Sequence, residues 1–166
     1  MDHHFTIEPM TEEDADDICS WQYEAPFDIY RFLPWSEMKL QGIEFGDPDL
    51  RTSQYASVRF GKELAGFAQF FPLVNVTRIG LGMRPQWCGN GYGVDFVTAI
   101  VREAQLRAPE NEIDLEVFTW NKRAVNVYLR AGFQITDEYE RPTPTGEASF
   151  YCMVYEPPQS NPSNAC

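Results

Sequence analysis

Apolar and polar positions alternate at Phe5, Ile7 and Pro9, the period of a short strand with one buried face. Thr11-Glu12-Glu13-Asp14 follows as a capping-box-like start with acids in the first helical turn, and it predicts a helix through about Trp21. From Trp21 to Trp35 the chain is dense in aromatics and broken by Pro26 and Pro34, so it reads as short helical pieces and turns that line a cavity or cap a core. Residues 54–60 and 64–74 are rich in aromatic and β-branched side chains and flank Gly61-Lys62-Glu63, a hairpin signature. Residues 76–83 continue that antiparallel meander.

After Pro85, the glycines Gly89, Gly91 and Gly93 open a segment with Val94, Val97, Ile100, Val101 and Ala104 at helical spacing, ending before Pro109. Ile113, Leu115 and Val117 then alternate with Asp114 and Glu116 as a strand. Asn121 caps a helix carrying Ala124, Val125, Tyr128 and Leu129, and Gly132 stops it. Residues 133–139 and 149–155 read as closing strands joined by the turn-rich RPTPTG. The order β-α-β-β-β-α-β-α-β-β indicates an α+β domain with a mixed sheet over residues 1–156, followed by a disordered tail over 157–166.

Composition narrows the class. With 166 residues, 43% of them hydrophobic, the chain suits one domain with a real core. Its net charge of −12 lacks the basic footprint of a nucleic-acid binder. That charge is uneven: residues 1–50 hold thirteen acids against Arg31 and Lys39, whereas the remainder is nearly balanced. Such a segment is either a solvated face or an interaction surface. The start of the chain lacks a basic stretch followed by an apolar run, and no segment reaches the ~18 apolar residues of a membrane span, so a cytoplasmic protein without membrane partners is expected. Cys19, Cys88, Cys152 and Cys166 are widely spaced, which fits free thiols. His3 and His4 sit at a frayed end, so no metal is expected.

The chemistry concentrates in residues 81–93, LGMRPQWCGNGYG, between a strand and a helix start. Glycines let a backbone approach a ligand closely, and the amides at a helix N-terminus favour phosphate. The dinucleotide fingerprint GxGxxG does not match, because its third glycine would fall on Val94 or Phe96. Here the sequence resembles the GNAT superfamily, the Gcn5-related N-acetyltransferases, whose signature Arg/Gln-x-x-Gly-x-Gly/Ala is occupied by residues 88–93. Cys88 departs from the usual Arg or Gln. The segment LEVFTWNKRAVNVYLRAGF, residues 115–133, resembles the family's L-x-V…N-x-x-A…Y-x-x-x-G-F pattern, and the likeness covers about residues 54–156. The aromatic WQYEAPFDIY stretch is similar to that of a bacterial subgroup of uncharacterised GNAT proteins.

The resemblance implies a mostly antiparallel central sheet flanked by helices and splayed between its fourth and fifth strands, with acetyl-CoA in the gap. Backbone groups of Leu81, Gly82 and Met83 would align the pantetheine arm. The N–H groups of Gly89, Asn90, Gly91, Tyr92 and Gly93 would hold the pyrophosphate, with Cys88 beside them in the coenzyme site. Asn121 would contact the pantetheine region. Lys122 and Arg123 lie in the first turn after Asn121, where positive charge opposes the helix dipole; they are either contacts to a coenzyme phosphate or solvated side chains.

Tyr128 lies seven residues after Asn121, on the same helical face. The family's matching tyrosine protonates the departing thiolate; the other reading is a core aromatic. Glu116 matches the proposed base of ribosomal-protein alanine acetyltransferases, with Asp114 on the same strand face as the substitute, although either can be a solvated or ion-paired residue. Cys88 as an acetyl-accepting nucleophile lacks a histidine to activate it.

An N-acetyltransferase acting on a primary amine of a small molecule or peptide is therefore expected, working in a ternary complex as a monomer or homodimer. A CoA-binding sensor or partner-binding module is the alternative, and transfer of a longer acyl chain is a third reading. The acidic segment suggests a cationic acceptor, with Trp21, Tyr23, Tyr30 and Trp35 as its contacts.

Overall fold

The computed structural model describes residues 4–158. Strand β1 (Phe5–Pro9) leads into α1 (Glu12–Cys19), α2 (Trp35–Gln41) and α3 (Pro48–Gln54). The meander β2 (Tyr55–Phe60), β3 (Glu63–Leu73) and β4 (Val76–Met83) follows. Then come α4 (Gly93–Arg107), β5 (Glu112–Phe118), α5 (Lys122–Ala131), β6 (Phe133–Thr143) and β7 (Gly146–Tyr155). The seven strands form one sheet in the order β1-β2-β3-β4-β5-β7-β6, antiparallel except at β4 and β5. The expected α+β class, with a mostly antiparallel sheet between helices, is what the chain adopts.

Parallel pairing of β4 with β5 covers only Val76↔Glu112, Thr77↔Ile113 and Arg78↔Asp114. Beyond Arg78 the two strands separate, and each keeps its outer partner, β3 through Met83 and β7 through Phe118. The splay expected between the fourth and fifth strands is therefore present, and it leaves the inner edge of residues 79–83 without a strand partner among the described residues.

Two apolar cores sandwich the sheet. Successive strand residues point to opposite faces. Ala56 and Val58 accordingly join Phe96, Val97, Ile100 and Val125 of α4 and α5. Tyr55, Leu64 and Phe67 meet Ile18 of α1, Met38 of α2 and Phe45.

The pattern missed α2 and α3. Each is seven residues long, and between them they bury only Met38, so neither has an apolar stripe to read. Asp47 capping α3 with Pro48 at its first position was the local signal available. Strands β6 and β7 also run beyond their expected bounds, pairing out to Thr143↔Gly146 across a turn confined to Pro144-Thr145. Pro142 is accommodated because β6 is an edge strand. Cys19, Cys88 and Cys152 are free thiols as expected; His3, Cys166 and residues 159–166 of the expected tail lie outside the described residues.

The predicted capping box of α1 does more than start a helix. Asp14 accepts from the Thr11 amide at 3.2 Å, from Ser57 Oγ at 2.8 Å and from Arg59 Nη2 at 2.7 Å, tying α1 to β2. Burial raises its pKa, but these donors outweigh that effect and hold it below the usual carboxylate range. Its contribution is therefore present above the unfolded pKa, ~3.9, and lost as pH falls through the lower folded value. Asp14→Ala is expected to destabilise the fold by about 2 kcal/mol at pH 7, with the gap to wild type closing in acid; denaturant unfolding at pH 7 and pH 3 checks both.

Candidate active site

The splay opens into a cavity of about 850 Å³, lined on its sheet side by Gly80, Leu81, Gly82 and Met83 of β4 and by residues 115–118 of β5. Helix α5 contributes Arg123, Ala124 and Tyr128 to the lining, with its cap Asn121. A second cavity of about 290 Å³ shares Leu81, Met83, Arg123, Ala124 and Tyr128 with the first and runs beneath the glycine loop, along Gly89, Gly91 and Gly93. The two therefore adjoin along these five residues, Tyr128 among them.

Glycine serves three purposes here. Gly89 and Gly91 have φ of +75° and +84°, and a Cβ at either would meet nothing within 4 Å, so their outer surface is open. Gly93 begins α4 and would press a Cβ to 3.0 Å from Val127, so its smallness lets α4 pack on α5. Gly82 lies opposite Phe67 across the β3–β4 ladder and has no room for a side chain. Tyr92, the N-cap of α4, makes no side-chain capping hydrogen bond, and this 15-residue helix starts directly where the glycine loop ends. Asn90 Nδ2 donates to the carbonyls of Gln86 and Cys88 and so shapes the loop itself.

Tyr128 is half-buried, and its hydroxyl has no hydrogen-bond partner among the described residues. Burial pushes its pKa well up, with a smaller contribution from Tyr30. Its hydroxyl is therefore a proton donor across the physiological range. Asn121 is committed at both ends: Oδ1 accepts from the Ala124 amide at 3.2 Å, capping α5, and Nδ2 donates to the Tyr30 hydroxyl at 2.8 Å. Tyr23 donates to the Met83 carbonyl at 2.6 Å. Through these two tyrosines the aromatic segment is braced against β4 and the start of α5.

Glu116 lines the larger cavity in a network of donors. Arg78 Nη1 lies at 3.2 Å, Arg141 Nε at 3.6 Å, and the Tyr139 hydroxyl donates to it. Arg78 also forks onto Asp114 at 2.9 and 3.0 Å. Asp114 is thereby occupied and does not line the cavity. Cys88 is half-buried, its Sγ 3.6 and 3.7 Å from the Arg84 and Met83 carbonyls, and burial raises its thiol pKa, which is the opposite of what a nucleophile needs. Lys122 lies over the Tyr151 ring instead of lining either cavity. Among the described residues no group of three or more His, Cys, Asp or Glu could hold a metal.

Of the four aromatic contacts expected for an acceptor, Tyr23 and Tyr30 line the cavity, and Trp21 and Trp35 do not. The Trp21 indole donates to Asp17 at 3.1 Å and lies under the Arg84 guanidinium; Trp35 stacks on Phe45. The acidic side chains of residues 12–50 are likewise absent from the lining. The sequence reading missed Arg31 and Arg141, which do line it. The signal for Arg31 was present: it is one of two cations in an otherwise acidic stretch.

A family model described as the acetyltransferase (GNAT) family matches residues 11–133. Among curated proteins none matches significantly by sequence. Solved structures share the fold at low identity. A chimera of the spermidine N-acetyltransferase SpeG from Vibrio cholerae and hSSAT superposes with a TM-score of 0.73 at 14% identity, covering 91% of this chain and 94% of its own. The aminoglycoside acetyltransferase AAC(6')-Ib in complex with coenzyme A gives 0.70 at 21%, covering 91% and 95%. The ribosomal-protein-S18-alanine N-acetyltransferase from Escherichia coli gives 0.62 at 19%, covering 92% and 93%.

Proposed function

This chain belongs to the GNAT acetyltransferase family, and on that premise we propose that it transfers an acetyl group from acetyl-CoA to a primary amine within a ternary complex. The observation carrying this reading is that the two cavities adjoin beside Tyr128, a phenol with no hydrogen-bond partner among the described residues. The open faces of Gly89 and Gly91, and the N-terminal end of α4 that follows them, suit a pyrophosphate; Arg123, which lines both cavities, adds a positive charge. The free inner edge of β4 around Leu81 and Gly82 suits the amides of a pantetheine arm, whereas the Met83 carbonyl is taken by Tyr23.

Acetyl-CoA supplies the thioester. The amine nitrogen forms the new bond to the acetyl carbon as the carbon–sulfur bond breaks. Tyr128 holds a proton at its hydroxyl for the sulfur. Glu116 is the one acid among the described residues that line the cavity, and it receives the amine proton, directly or through water. The Tyr139 hydroxyl and the two arginines orient that carboxylate.

Incubation with acetyl-CoA and a panel of primary amines should release thiol; absence of release with every amine would defeat the transfer reading. Gly91→Val places a branched side chain at φ +84° in the open face of the loop. It is expected to weaken CoA binding at least tenfold by calorimetry, beyond a backbone cost of about 1–2 kcal/mol in stability.

A further inference from the structure

We propose that the acceptor end of the larger cavity selects amines that also carry a carboxylate on an apolar body. This deepens the acetyl-transfer reading and rests on it. Among the described residues, the charged ones lining the cavity are Arg31, Arg123, Arg141 and Glu116. Glu116 is already faced by Arg78 from behind the wall and by Arg141, and Arg78 is shared with Asp114, so two guanidiniums and two carboxylates balance within that network.

The surplus positive charge resides in Arg31 and Arg123, and neither has a carboxylate partner among the described residues. Arg123 lies over the Phe27 ring at 4.2 Å and lines both cavities, which assigns it to the coenzyme side. Arg31 stays away from the coenzyme cavity. Its backbone amide donates to the Asp28 carbonyl at 3.3 Å, closing the turn that positions it between Ile29 and Leu33 on the cavity wall. Arg141, on the hairpin that forms another part of the wall, has its guanidinium over Phe150 at 4.3 Å.

An unpaired guanidinium at the edge of an apolar cavity repels a polycation and attracts an oxyanion, more strongly than either would be felt in bulk water. Its planar fork matches a carboxylate in two parallel hydrogen bonds. The apolar walls, among them Phe27, Ile29, Leu33 and Phe118, suit a hydrophobic body between that carboxylate and the reacting amine. None of the acids of residues 12–50, which suggested a cationic acceptor, lines this cavity: Asp14 pairs with Arg59, Asp17 with Arg84 and Glu12 with Lys39, and Asp16 and Asp28 line a separate surface cavity that Arg31 also borders.

The test compares L-phenylalanine, L-phenylalaninamide and spermidine as acceptors by thiol release. The amide has the less basic amine and so a larger neutral fraction, which biases the comparison against the proposal. Wild type is expected to use the acid with kcat/KM at least tenfold above that for either other amine. Arg31→Gln should lower the acid-to-amide ratio about tenfold, and Arg31→Glu should invert it; CoA affinity, measured in parallel, reports that the variants are folded.

Equal or faster acetylation of the amide or of spermidine, or a ratio unmoved by Arg31→Gln, overturns the proposal while leaving acetyl transfer standing. Calorimetric titration of the same amines into CoA-loaded protein decides if no thiol appears. Acid binding that depends on Arg31 upholds the specificity and defeats the transfer reading. Failure of the acid to bind at millimolar concentration, or binding no tighter than the amide, overturns the specificity.

Discussion

Tyr128→Phe is expected to lower kcat about 10²-fold or more while CoA affinity stays near the wild-type value. The substitution removes one oxygen from a helix face and leaves the ring, which packs edge-on against Phe133 at 6.0 Å, in place. Because the Tyr128 hydroxyl has no partner among the described residues, its loss exposes no buried donor or acceptor and little stability should change. Single-turnover kinetics and calorimetry together check the split. Unchanged turnover would remove Tyr128 from the chemistry and return it to the core. A protein that binds CoA but never turns over, with or without the phenol, would be a sensor on the same fold. Burial raises the pKa of Tyr128, and the proton-donating form is the one below that pKa. The rate should therefore show no loss assignable to Tyr128 up to the ordinary tyrosine value, ~10.

Phe96→Ala is the second large effect, and it acts on stability. Phe96 is 1% exposed in the first turn of α4, with its ring 5.6 Å from that of Phe5. A Cβ on Gly66 would come within 2.5 Å of its ring, so strand β3 lies directly against it. Emptying this site should cost about 4 kcal/mol, because α4 and the sheet cannot collapse around the void without moving the helix. For a chain of this size that corresponds to a fall in Tm of about 10 °C. The same helix begins with the glycine loop, so CoA affinity should weaken as well, and saturating CoA should restore part of the lost Tm. A Tm within 2 °C of wild type would mean that the helix is held mainly by something other than this ring.

Much of the site was legible because short-range geometry positions it. Asn121 and Tyr128 share a helical face since seven residues make nearly two turns, and both line the cavity. Asp114 and Glu116 share a strand face because side chains alternate, and both meet Arg78. The glycine loop announced its positive-φ positions at Gly89 and Gly91. Helices α2 and α3 were not legible, since each is too short to show a period and they owe their place to contacts made elsewhere in the fold.

Charge was the least legible feature. Thirteen acids in the first fifty residues suggested an acidic acceptor wall, yet the side chain this stretch directs into the larger cavity with a charge is Arg31. Trp21 and Trp35 look the same in sequence as Tyr23 and Tyr30, but the indoles are packed among Asp17, Arg84 and Phe45, whereas the phenols reach Met83 and Asn121.

The sequence by itself determined the fold family, the glycine loop and the phase of the strands and of helices α1, α4 and α5, because those depend on residues a few positions apart. Only the tertiary structure decided which charges face the cavity and which are neutralised, because its walls join residues 23–33, strands β4 and β5 and the hairpin at 141–145. Which side chain meets which across that space follows from long-range packing, and no local periodicity encodes it.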